Sequence, residues 1–219
     1  MNLDKQISRL HYISQESADK THIAAILTAL RAGCKWIQLR VKNRAEEEVL
    51  KLAFEVRDLC KEYSAQLIIN DYPEVALQVN AHGLHLGLLD MPVAQARLIV
   101  GTKLVIGGTA NTFDHVCRRV AEGVDYIGLG PFRFTRTKEN LSPILGISGF
   151  RTIMKQVQMA GIATPIIAIG GITAADVPEL LDAGVFGVAM SGAITQFTEP
   201  MDEVDRLHKQ LDQISFTNS

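Results

Sequence analysis

This chain of 219 residues reads as an α/β protein, a single-domain (β/α)8 barrel, and three observations lead there. Short β-branched runs alternate with longer amphipathic stretches from end to end, as parallel strands joined by crossover helices require. Glycine recurs directly after the amphipathic stretches, in Ala32-Gly33-Cys34, Glu122-Gly123-Val124, Ala160-Gly161-Ile162 and Ala183-Gly184-Val185, where a left-handed C-cap would end a helix before the next strand. No linker-like or low-complexity segment interrupts the alternation, so one strand-plus-helix unit, repeated, accounts for a single domain over residues 1–219. A doubly wound open sheet is the alternative, and the missing GxGxxG after the first strand weighs against it.

The elements follow in order. Leu10 to Ser14 is the first strand candidate, with a helix expected over Lys20 to Ala32. Trp36 to Arg40 is the second, followed by a helix from Ala45 to Tyr63. That helix shows its period plainly: Val49, Leu52, Ala53, Val56, Leu59 and Cys60 fall on one face, and Glu46, Glu47, Glu55 and Arg57 on the other. Gln66 to Asn70 and Gly83 to Leu86 are the third and fourth strands, with a helix from Val93 to Ile99. Leu104 to Gly107 precedes a helix over Thr112 to Glu122, and Tyr126 to Leu129 precedes one over Ser148 to Met159. Ile166 to Ile169, a helix over Ala174 to Ala183, and Gly187 to Met190 complete eight strands.

Composition narrows the function. With 47% apolar and 21% charged residues and a net charge of −2, the chain has material for a core but not the charge of a general nucleic-acid binder, so any anion site must be a local cluster of cations. No apolar run is long enough to span a bilayer, and the polar start Met1-Asn2-Leu3-Asp4-Lys5 lacks the pattern of an export signal, so a cytoplasmic location is expected. Cys34, Cys60 and Cys117 are widely separated, without a CxxC or a close His partner, and read as buried structural thiols. There is no GxSxG, HExxH or P-loop, which removes the usual markers of nucleophilic hydrolysis, zinc proteolysis and nucleoside triphosphatase chemistry.

In such a barrel the chemistry belongs at the C-terminal ends of the strands. The second strand runs into Gln38-Leu39-Arg40-Val41-Lys42, where Gln38, Arg40 and Lys42 share a face and suit a polyanion or a planar polar ring. The third ends in Asn70-Asp71 and the fourth in His85-Leu86-Gly87 followed by Asp90. The two carboxylates suit one magnesium ion, which takes one or two carboxylates and completes its shell with water and phosphate. Each equally suits a helix N-cap, since Pro73 and Pro92 follow closely. Gly107-Gly108-Thr109-Ala110-Asn111 places amides and a hydroxyl at a helix start. Gly130-Pro131-Phe132-Arg133-Phe134-Thr135-Arg136-Thr137-Lys138 combines hydroxyls and three cations after an apolar run, a receptor for phosphate oxygens, and the segment from Arg133 to Gly146 is a candidate lid. Ile169-Gly170-Gly171-Ile172 and Met190-Ser191-Gly192-Ala193 lie where many barrels bind phosphate through main-chain amides, the glycines admitting the oxyanion to the backbone. His85 reads as a packed structural histidine.

This ordered set resembles thiamine phosphate synthase, from the first strand to about Ile194. The resemblance implies a TIM barrel that joins 4-amino-5-hydroxymethyl-2-methylpyrimidine diphosphate to hydroxyethylthiazole phosphate and releases diphosphate. It implies Asp71 and Asp90 as ligands of one Mg2+, and Gln38, Leu39, Arg40, Val41, Lys42, Asn70, Thr109 and Lys138 around the pyrimidine diphosphate. Thr135, Arg136 and Thr137, with main-chain groups near Gly171, Ser191 and Gly192, would hold the thiazole phosphate. Lys138, Thr109, Arg40 and Lys42 would act in catalysis. Tyr72, Leu88 and His82 depart from the residues common in the family at those places. The expected partners are small phosphorylated substrates, with no nucleic acid and no membrane, and a homo-oligomer is left open. Two rivals share the fold: a thiazole tautomerase, which would need an acid/base residue and no magnesium pair, and a non-catalytic thiazole phosphate sensor.

Overall fold

Alternation along the strands builds two apolar layers. Trp36, Ile68, Val105, Tyr126, Ile167 and Ala189 turn inward and pack together, while Ile37, Leu39, Ile69, Leu84, Ile106, Ile127 and Val188 turn outward under the helices, as the two-residue period of a strand dictates. The computed structural model describes residues 5–16, 21–134, 143–196 and 199–213. Its strands are β1 (Leu10–Ile13), β2 (Trp36–Leu39), β3 (Gln66–Asn70), β4 (Gly83–Leu86), β5 (Val105–Ala110), β6 (Tyr126–Leu129), β7 (Ile166–Ala168) and β8 (Gly187–Met190). They pair in sequence order, and β8 closes on β1 through Leu10 opposite Val188 and Tyr12 opposite Met190, so the sheet is a closed parallel barrel.

The helices are α1 (His22–Arg31), α2 (Glu46–Glu62), α3 (Pro73–Gln78), α4 (Val93–Val100), α5 (Phe113–Ala121), α6 (Gly146–Met159), α7 (Val177–Asp182), α8 (Gly192–Thr195) and α9 (Pro200–Gln213). Gly33, Gly123, Gly161 and Gly184, the four residues that the repeated helix exit singles out, all have positive φ, between 65° and 103°. They end α1, α5, α6 and α7 as left-handed C-caps do.

Several boundaries move, each for a physical reason. The fifth strand continues to Ala110, because Thr109 and Ala110 pair with Gly128 and Leu129 of β6; Thr109 is a strand residue and not the opening of a helix. The stretch from Ala174 begins as a 3-10 turn, Ala174–Asp176, and becomes α7 only at Val177, with Pro178 unable to donate to the turn before it. The short α3 leaves too few turns for a period to show. α9 was not among the expected helices, although Val204, Leu207 and Leu211 are buried at helical spacing. Cys34 and Cys60 are buried, with thiols pushed up to about 12 by loss of solvent. Cys117 is exposed instead.

Candidate active site

Strand parity that sends Trp36 inward also sends Gln38 inward, and parity with Ile68 sends Asn70. The Gln38 amide donates to Asn70 Oδ1 at 2.6 Å, both side chains buried. Leu39 and Val41 carry the opposite parity and lie in the outer apolar layer. Only their main-chain groups remain available to a substrate.

Asp71 follows β3 with φ +70°, a left-handed conformation rare for a residue with a side chain and worth roughly 1–3 kcal/mol of strain. Its N–H donates to the His85 carbonyl at 2.9 Å, which holds the bend. Asp90 Oδ2 accepts the Gly87 N–H at 2.6 Å. Neither carboxylate caps a helix: α3 starts after Tyr72 and α4 after Pro92, both without a side-chain cap. The capping alternative is therefore removed for both residues. Lys42 forms an ion pair with Asp71 Oδ2, while Asp71 Oδ1 is buried without a hydrogen-bond partner among the described residues. Burial and the nearness of Asp90 push the Asp71 carboxyl up to about 6. Burial pushes Asp90 up as well, but its approach to Asp71 and the Gly87 N–H prevail and hold it below the usual carboxylate range. An orphaned carboxylate oxygen beside a second carboxylate fits a hard cation. Among the described residues no third His, Cys, Asp or Glu joins the pair, so the rest of the shell would fall to water and phosphate oxygen, as magnesium favours.

These groups line a compartment of about 90 Å³ with Gln38, Arg40, Lys42, Asn70, Asp71, Asp90 and Thr109 in its wall. A wider compartment of about 360 Å³ adjoins it, walled by Gly170, Gly171, Thr173, Ser191, Gly192 and Arg40. Ile13, Arg40, Ile169 and Ala189 border both. The Ser191 hydroxyl donates to the Ile13 carbonyl at 2.6 Å, which leaves main-chain groups to face a ligand there. Gly170 and Gly171 have a further reason to be glycine: a Cβ would stand 2.6 Å from Pro131 Cβ and 2.9 Å from Arg133 Cβ respectively.

Arg133 is engaged by protein groups. Its guanidinium binds both oxygens of Asp176, each at 2.5 Å, donates to the Gly171 carbonyl at 3.1 Å, and lies over the Phe132 ring. It latches the loop after β6 to the turn after β7. Thr135, Arg136, Thr137 and Lys138 lie outside the described residues, as does most of the Arg133–Gly146 segment. Asn111, to which the sequence reading gave no separate role, anchors the returning end of that segment by donating to the Gly130 and Pro143 carbonyls, each at 2.9 Å. Sequence reasoning also missed Arg119, a buried residue of α5 that donates to the carbonyls of Gly87 at 2.7 Å and Thr109 at 3.1 Å. The amphipathic pattern of α5 assigns it only to a charged face.

A parallel barrel whose C-terminal mouth holds paired carboxylates, converging cations and a glycine-lined cradle defines a phosphate-handling (β/α)8 barrel enzyme. The thiamine monophosphate synthase family is matched by residues 10–194, and the chain belongs to that family. A thiamine-phosphate synthase of Bacteroides fragilis is 46% identical over 198 residues, 90% of this chain and 97% of that one. One of Flavobacterium johnsoniae is 47% identical over 204 residues, 93% and 96% of the two chains. Among solved structures, thiamine phosphate pyrophosphorylase from Pyrococcus furiosus superposes with a TM-score of 0.79 at 28% identity, covering 94% of this chain and 96% of that one.

Proposed function

We propose that the chain is a transferase that joins 4-amino-5-hydroxymethyl-2-methylpyrimidine diphosphate to hydroxyethylthiazole phosphate, giving thiamine phosphate and diphosphate. The observation that carries this reading is the pair of adjoining compartments with Arg40 in their common wall. One compartment has the acidic and basic groups a diphosphate with its cation needs, and the other the main-chain cradle a monophosphate needs.

Asp71 and Asp90 would hold one Mg2+. When bound, that ion supplies positive charge beside the leaving diphosphate. Arg40 and Lys42 stabilise the same anion as the bond between methylene carbon and oxygen breaks and its electron pair leaves with diphosphate. Lys138 is assigned here by the family resemblance. The positive charge left on the methylene carbon is shared with the pyrimidine ring and its amino group. The thiazole nitrogen, held alongside, donates its lone pair to that carbon and forms the new C–N bond. No protein base is needed, and Gln38 with Asn70, both buried, orients the ring.

The reading includes a cytoplasmic enzyme working on small phosphorylated molecules, with neither nucleic acid nor membrane as partner. Among the described residues no helix is long and apolar enough to cross a membrane, and phosphorylated substrates, being charged, stay on the side of a membrane where they are made. The test is to mix purified protein with both phosphorylated substrates and Mg2+ and to measure thiamine phosphate and diphosphate. Binding of the thiazole phosphate without product, where a known synthase turns over, would favour the tautomerase or the sensor.

A further inference from the structure

Behind the proposed diphosphate compartment, three side chains form a hydrogen-bonded line. The Tyr126 hydroxyl lies 3.0 Å from His85 Nδ1, and Thr109 Oγ1 lies 3.0 Å from His85 Nε2. All three residues are buried. The barrel makes room for the line: a Cβ on Gly107 would stand 2.1 Å from Tyr126 Cζ, and one on Gly128 would stand 3.2 Å from His85 Cε1.

Proton positions along this line follow from counting donors and acceptors. A tyrosine hydroxyl has one proton to give, and among the described residues His85 Nδ1 is the polar atom that meets the Tyr126 hydroxyl; were Nδ1 the donor, the phenol proton would be buried without a partner, so Nδ1 accepts. Burial pushes the Tyr126 phenol far above its ordinary value, so that proton stays in place. With Nδ1 accepting, the proton of a neutral imidazole sits on Nε2 and is donated to Thr109 Oγ1. Thr109 then accepts from the histidine, and its own hydroxyl proton is left to point into the compartment it lines.

We infer that Tyr126 and His85 are positioning residues that fix Thr109 as a hydrogen-bond donor to an acceptor atom of the substrate, a ring nitrogen or a diphosphate oxygen, and select against an N–H at that point. The part concerning substrate rests on the function proposed above; the proton arrangement does not.

The direct test is the 15N spectrum of histidine-labelled protein without substrate, with the His85 signals assigned by their loss in His85→Gln. The expected result is an unprotonated Nδ1 and a protonated Nε2, with this preference lost in Tyr126→Phe. In the coupling assay, Tyr126→Phe is expected to lower kcat/KM about tenfold, the loss of one well-aligned hydrogen bond. It should cause no further loss in a Thr109→Val background, because the hydroxyl acts through Thr109. A proton on Nδ1 in the unsubstituted protein overturns the inference, and so do losses from Tyr126→Phe and Thr109→Val that multiply. A protein with no turnover at all would count against the proposed function instead, while the spectrum still decides the proton arrangement.

Discussion

Asp71 shows how much one residue carries at this site. Its left-handed backbone, its ion pair with Lys42 and its orphaned Oδ1 make sense together only if the carboxylate is held for something other than the fold. Asp71→Asn and Asp90→Asn should each lower kcat by roughly 100-fold or more, the scale seen when one preorganised charge contact to a developing anion is lost. Asparagine tolerates the left-handed backbone, so thermal melting of Asp71→Asn should stay within a few degrees of the parent. A variant that melts early yet keeps its turnover would return Asp71 to a structural role. Arg133 teaches the converse. In the sequence it is one of three cations in a phosphate-like loop, but both Asp176 oxygens claim it, and a basic residue beside a glycine-rich turn does not disclose its partner. Arg133→Gln should raise KM for the thiazole phosphate more than it lowers kcat, because it loosens the Gly170–Gly171 turn and leaves the carboxylate pair untouched. Steady-state kinetics with each substrate varied in turn separates the two effects.

Among the elements, β5 is the one whose neighbours decide most. Gly107 and Gly108 look like turn residues in isolation, and the sequence reading ends the strand at Gly107. In the barrel they are glycine because Tyr126 fills the place of one Cβ and the Arg119 side chain that of the other, 2.1 Å and 2.8 Å from where it would stand. Gly107→Ala should therefore cost at least the 1–3 kcal/mol typical of overpacking, measured by chemical denaturation, whereas an alanine at a true turn glycine would act through φ. The helix exits behave differently. There the requirement is local, one left-handed residue after the last turn, so the pattern is visible in the sequence and the structure repeats it four times over.

Among the described residues three histidines, His11, His22 and His85, are buried in the barrel and its rim, and His82 is partly buried. His11 stacks on Trp36 at 4.5 Å between ring centres and is held neutral by burial, its value lowered from 6.5 to about 3; burial lowers His22 and His82 as well. Between about pH 6.5 and 3 the unfolded chain binds a proton at His11 that the folded chain refuses. The contribution is complete above about pH 6.5 and is lost progressively as the pH falls toward 3. Thermal melts across that range should show a falling Tm, and His11→Phe should flatten the part due to this residue. An unchanged slope in His11→Phe would mean that the other buried groups account for all of it.

By itself the sequence determined the alternation of strands and helices, the barrel class, the helix exits and which strand ends carry acid, amide and cation, because each depends on residues close together in the chain and on periods of 2 and 3.6. Only the tertiary structure decided that Asp71 and Asp90 share one cavity and cap no helix, that Leu39 and Val41 turn away from it, and that Arg133 is bound to Asp176. It also set Tyr126, His85 and Thr109 in line. Those relations join strands and loops far apart in sequence, and they exist only once the barrel closes and brings every strand end to one rim.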